Sequence, residues 1–83
     1  MKQLTLTDGK IFRGATELDI AQGMKLFGYY QKNRTFDQFV DWFVADVADV
    51  VLGVTLNVPA GPDAERAVAL VNEMVRTNIA TLS

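Results

Sequence analysis

Cysteine and histidine are both absent from this 83-residue chain. Their absence removes disulfides, thiolate nucleophiles, the usual zinc ligands and the commonest general base at neutral pH. Most hydrolase mechanisms go with them. The glycines do not fall in the G-x-x-x-x-G-K-[ST] or G-x-G-x-x-G spacing, so nucleotide binding has no support. Positive charge is not in excess. Eight Lys and Arg stand against ten Asp and Glu, a formal net charge of −2, which disfavours non-specific attraction to nucleic acid. No run approaches the roughly 20 apolar residues of a membrane span, and the N-terminal MKQLTLTDGK lacks the apolar stretch of a signal peptide. The composition therefore predicts a soluble, cytoplasmic protein without cofactor or metal.

What is abundant is apolar surface. Hydrophobic residues make up 49% of the chain, yet a domain of this size buries only about 60% of the surface its unfolded chain exposes. One domain over residues 1–83 is expected, with a second copy covering the excess, so a homodimer is predicted.

The local signals predict an α+β fold, mainly α: an N-terminal β-hairpin over about residues 2–14 followed by three helices. In the hairpin, Asp8-Gly9 is a two-residue turn signal, which sets Leu6 opposite Ile11 and Thr5 opposite Phe12. Thr16 is placed to cap a first helix over about 17–32, with Glu17 and Asp19 at the positive end of its dipole. Thr35-Phe36-Asp37-Gln38 reads as a capping box opening a second helix, about 35–53. Residues 54–58 alternate as a short strand would, but an irregular loop leaving the helix is the favoured reading. Pro62 suits the first position of a third helix, about 62–81, whose apolar side is read as Ala64, Val68, Val71, Val75, Ile79 and Leu82, flanked by Ala67, Leu70 and Met74.

At about 100° per residue, Phe36, Phe39, Val40, Phe43, Val44, Val47, Val50, Val51 and Val54 form one stripe on helix two. Asp37, Asp41, Asp46 and Asp49 lie beyond it, and Trp42 falls with Asp46 and Asp49. Asp37 with Asp41, or Asp46 with Asp49, could face a hard cation, but isolated helical carboxylate pairs supply too few oxygens, and no metal or catalytic residue is assigned. A large aromatic on an acidic face is either covered by the hairpin or the final helix of the same chain, or belongs to a partner-binding surface comprising Trp42, Asp41, Asp46 and Asp49. Asn78 projects into the apolar sector of the third helix and, with Val71 and Val75, marks a candidate dimer interface. Tyr29 and Tyr30 beside Lys32 and Arg34 form a small stacking patch, which an ordinary packing role explains better.

Lys10-Ile11-Phe12-Arg13, a helix from Glu17, and Asn33-Arg34-Thr35 opening a second helix together resemble the strand–helix–turn–helix order of ribbon-helix-helix DNA-binding proteins. That resemblance covers about half the chain and implies Lys10, Phe12 and Arg13 as groove-facing ribbon positions. The primary reading is a non-enzymatic protein–protein interaction module, an adaptor, assembly factor or inhibitor of a larger protein. A DNA-binding regulator is the alternative, and a small metal-dependent or carboxylate-based enzyme the second alternative. Small stand-alone proteins of this kind are frequent among phage and mobile-element products, a base-rate expectation that no particular residue carries.

Overall fold

In the computed structural model, which describes residues 1–28 and 31–83, the first hairpin turns through three residues and not two. Strands β1 (Lys2–Leu6) and β2 (Ile11–Gly14) close with Leu6 N–H donating to Lys10 O at 2.8 Å and Gly9 N–H donating to Leu6 O at 3.0 Å. Gly9 sits at φ +94°, the left-handed position that a three-residue loop requires. This residue shifts the expected register by one, so Leu4 opposes Phe12 and Thr5 opposes Ile11. The slip sorts the ribbon, because strand side chains alternate: Leu4, Leu6 and Phe12 share the covered face, while Gln3, Thr5, Ile11 and Arg13 share the outer one.

Helix α1 (Glu17–Phe27) starts at Thr16, whose hydroxyl accepts from Asp19 N–H at 3.2 Å, as its sequence predicts. Its first turn lies directly on the end of β2: a Cβ at Gly14 would stand 2.5 Å from Asp19 Cβ and 3.0 Å from Ile20 N, a separation only glycine permits. The helix stops at Phe27, short of the expected residue 32, as Gly28 takes an extended conformation at ψ 122°. Tyr29 and Tyr30 lie outside the described residues.

Helix α2 (Phe36–Trp42) carries the full capping box, with Thr35 Oγ1 accepting from Gln38 N–H at 3.1 Å and Gln38 Oε1 accepting from Thr35 N–H at 3.0 Å. The expected long helix then changes geometry. Phe43–Val51 is a π-helical segment, ending with Leu52 N–H donating to Val47 O at 2.9 Å. The wider i→i+5 turn rotates later side chains away from the stripe projected for an α-helix. Phe36, Phe39, Val40 and Phe43 remain buried, Ala48 enters the core from outside that stripe, and Val50 and Val51 are turned outward at 74% and 73% exposure.

No strand forms at 54–58. The alternation is nevertheless real: Leu56 is buried, Val54 and Val58 are half-buried, and Thr55 and Asn57 are exposed. Side chains of α3 (Asp63–Arg76) supply the bonds a neighbouring strand would make. Asn57 N–H donates to Glu73 Oε1 at 2.8 Å, Arg76 donates to Thr55 O at 3.2 Å, and Arg66 donates to Pro59 O at 3.1 Å. Arg76 also grips Glu73 through bonds of 2.6 and 2.9 Å. Those bonds, followed by the one from Asn57, hold the Glu73 carboxyl at about 2, below its ordinary value of 4.5. A carboxylate depressed by folding contributes stability above its unfolded pKa and loses it as pH falls through the folded one. Urea denaturation at steps from pH 5 to 2 is therefore expected to show stability falling across that interval. Glu73→Gln should flatten the slope, whereas an unchanged slope would show that Glu73 is not the group being titrated.

Pro62 stands just before α3 as its cap, not at its first position. The buried face of α3 is Arg66, Ala67, Leu70, Val71 and Met74, centred on the residues expected to flank the apolar stripe, while Ala64, Val68 and Val75 are exposed. The helix also ends at Arg76 and not at 81. Asn78 adopts φ +64°, with its N–H on Val75 O at 3.1 Å and Ile79 N–H on Met74 O at 3.1 Å. This paired closure is a Schellman motif, in which asparagine is among the few side chains tolerated. The turn redirects the chain into β3 (Ala80–Leu82), which pairs antiparallel with β1 through Leu4–Leu82 and Leu6–Ala80. The sheet order is β2-β1-β3, and one face of it is packed by the helices around Leu4, Ile20, Phe39, Leu70 and Met74. This is the α+β, mainly helical fold expected, with its extra strand at the C-terminus.

Candidate functional site

Between the hairpin turn and the α2–π helix lies an apolar groove made of two adjoining hollows. The first, about 220 Å³, is walled by Leu6 and Phe12 from the sheet, Met24 and Phe27 from α1, and Phe39, Trp42, Phe43 and Val47 from the opposite side. Asp8, Lys10, Gly28 and Gln31 complete it. The second, about 210 Å³, shares Leu6, Asp8, Phe43 and Val47 with the first and continues past Val51, Leu52 and Ile79.

Aromatic packing makes the walls firm. Phe39 is the hub, its ring centroid 6.1–6.3 Å from those of Phe36, Trp42 and Phe43. Across the hollow, Phe12 meets Phe27 edge-on at 5.7 Å and 84°, and the Lys10 ammonium stands 5.7 Å above the Phe27 ring. Lys10 also donates to Asp8 Oδ2 at 2.6 Å, and these bonds hold the Asp8 carboxyl below its ordinary value. Lys10 and Asp8 are thus a bound pair at the rim. Gln31, 6% exposed, carries the one buried side-chain polar atom without a hydrogen-bond partner among the described residues, its Oε1.

Trp42 is half-buried. It leans on Phe39 and Phe43 and lines the first hollow together with the hairpin residues Leu6, Asp8, Lys10 and Phe12. Asp46 and Asp49 are exposed on the π segment. Asp41 is not a free rim charge: with Asp37 it binds Arg66, each carboxylate 2.9 Å from a guanidinium nitrogen. Burial opposes the Arg66 charge, but the bonds to Asp41 and Asp37 outweigh it and raise the guanidinium pKa. The same pair read as a possible cation site is therefore occupied by a cation of the chain itself.

The candidate dimer residues do not form one surface. Val71 is fully buried in the core of its own chain, Val75 is partly exposed on α3, and Asn78 is the exposed capping residue. The ribbon candidates also part company. Lys10 and Phe12 line the groove, while Arg13 points to the outer face, donating to Gln3 Oε1 at 2.8 Å. Arg66 and Gln31 were not singled out by sequence. Arg66 lies on the helix face that its charge marks as polar, and Gln31 falls at helical spacing on one face with Ile20, Met24 and Phe27, a signal for packing and not for a site.

Among the described residues, no helix is long and apolar enough to cross a membrane. Comparison with known protein families, curated proteins and solved structures yields no match to this chain.

Proposed function

We propose that the protein is a small, non-enzymatic interaction module that docks on a larger protein as an adaptor, assembly factor or inhibitor. The observation that carries this reading is the apolar groove whose far end opens onto the exposed residues Val51 and Leu52. Contiguous apolar surface of this kind marks sites of association, and a π-helical turn inside a helix is frequently a functional feature. Asp46 and Asp49, exposed on the same segment, favour a partner with basic residues around its contact patch. A cytoplasmic setting belongs to the proposal and rests on the cysteine-free composition.

Affinity capture from the native host tests it, with the wild-type chain and a Val51→Asp, Leu52→Asp variant run side by side. Both residues are exposed, so the variant should fold. Recovery of the specific partner is expected to fall at least about tenfold, as expected when charge replaces a desolvated apolar contact. Identical capture by both chains would place the contact elsewhere. Sedimentation of each at high concentration reads self-association: a wild-type dimer that the variant disperses would make a second copy the partner, as the apolar excess predicts.

A further inference from the structure

Residues 54–60 cross from the π segment towards α3 with almost no backbone anchorage. Among the described residues a single backbone–backbone bond touches them, from Val54 N–H to Ala48 O at 2.9 Å. The rest of their polar grip comes from one stripe of α3, because at about 100° per residue Arg66, Glu73 and Arg76 span an arc of roughly 80°. Arg76 donates to Thr55 O, Glu73 accepts from Asn57 N–H, and Arg66 donates to Pro59 O. The two segments run antiparallel and their lengths agree. The extended chain from Thr55 to Pro59 covers about 13 Å, and the helical rise from Arg66 to Arg76 is about 15 Å. A helix here takes the part of a neighbouring strand, through side chains alone.

We propose that residues 54–60 form a strap that opens as a unit while the sheet and helices stay folded, giving access to the core beneath Leu56. Both ends are built to turn. Gly53 precedes the strap at φ +69° with nothing within 4 Å of the position a Cβ would take, and Gly61 follows it with only the end of the Glu65 side chain nearby, at 3.5 Å. The apolar fastening is a single plug: Leu56 is buried, Val54 and Val58 are half-buried, and the other strap residues are exposed. Opening therefore unseats one core side chain and leaves the rest of the core with its own neighbours. Closure also has a polar cost. Leu56 is 3% exposed, yet its N–H and C=O bond no protein group among the described residues. A peptide unit desolvated without a bond in return favours the open form. Arg76, whose side chain is 60% exposed, yields its hold on Thr55 to water readily.

Native-state hydrogen exchange on the intact protein tests this, at urea concentrations where the domain remains folded. Asn57 N–H reports on the strap, and Leu70 and Met74 N–H, from the buried face of α3, report on global unfolding. Asn57 should exchange at least about a hundredfold faster than Leu70 and Met74 and hardly respond to urea, since a local opening exposes little surface. Ile20→Val, which loosens the core at α1, should speed Leu70 and Met74 about fivefold and leave Asn57 unchanged. Because the chain has no cysteine, Leu56→Cys supplies a unique thiol. Its labelling by dithiobisnitrobenzoate should outpace that of Val71→Cys by at least about a hundredfold, after correction for any change the substitution makes to Asn57 exchange. Equal acceleration of all three amides by Ile20→Val would mean that the strap opens only with the whole domain, and overturns the proposal. So does a fast Asn57 amide beside a Leu56→Cys thiol labelled as slowly as Val71→Cys, since the amide would then fray while residue 56 stays seated.

Discussion

Arg66→Ala is expected to cost about 3 kcal/mol of folding stability, lowering Tm by about 12–24 °C in a domain of this size. The guanidinium is almost wholly buried, with its side chain 7% exposed, and it donates to Asp37, Asp41, Pro59 O and Val58 O. Three separate stretches of chain meet at this one group: the first two turns of α2, the segment entering α3, and α3 itself. The carboxylates contribute the smaller share, because Asp37 and Asp41 are 62% and 70% exposed and hydrate readily once released. The carbonyls of residues 58 and 59 contribute more, since they lose their donor beside a cavity the alanine cannot fill. Arg66→Lys should recover only part of the loss, because an ammonium lacks the fork that reaches both carboxylates while bonding a carbonyl. Thermal unfolding followed by circular dichroism measures all three proteins. A loss below about 1 kcal/mol for the alanine variant would show that burial of Leu56 alone holds the 52–62 loop.

Phe39→Ala should be more damaging still, at about 3–5 kcal/mol. Phe39 is 2% exposed and touches three aromatic neighbours, so its removal opens a cavity and strips the Trp42 ring of its principal support. An 83-residue chain has a total stability of roughly 4–12 kcal/mol. The variant is thus expected to stand near its midpoint in dilute denaturant, or to populate the unfolded state without any. Urea titration by tryptophan fluorescence reads this directly, because Trp42 is the only tryptophan. A midpoint within experimental error of the wild type would mean that the aromatic cluster repacks around the gap. Since Phe39 lines the groove, this variant tests the scaffold and not the binding proposal.

Much of the fold was legible because its signals are local. The Thr35 capping box, the Thr16 cap and the acidic first turns act over three or four residues and appear where their residues predict, while the Asp8-Gly9 signal places the hairpin but misses its third loop residue and so its register. Failures occurred where distant contacts decide. The 54–58 alternation is compatible with strand or loop, and what makes it a loop is distant: side chains of Glu73 and Arg76 meet its backbone, and Arg66 that of Pro59, where a neighbouring strand would otherwise pair. Asn78 projects into an apolar sector only if the helix continues through it; the chain instead uses asparagine's tolerance of positive φ to stop. The π geometry of Phe43–Val51 leaves no mark in residue spacing, and its wider turn undoes the helical projection just where Val50 and Val51 become exposed. Trp42 stands out in the sequence by its size and uniqueness, but which part of the chain would lean on it is a matter of distant contacts: the ring packs on Phe39 and Phe43 and lines the groove with the hairpin.

The antiparallel pairing of β1 with β3 has a consequence in time. The hairpin and α1 depend on neighbours in sequence and can organise early, yet the middle strand of the sheet keeps one bare edge until residues 80–82 arrive. Closing that edge joins Gln3 to Ser83 through two reciprocal bonds of 2.8 Å, across nearly the whole chain. Contacts so remote in sequence are slow to find. A growing polypeptide would therefore hold Leu4 half-covered until residues 80–82 have emerged, leaving an open strand edge available to other chains until then.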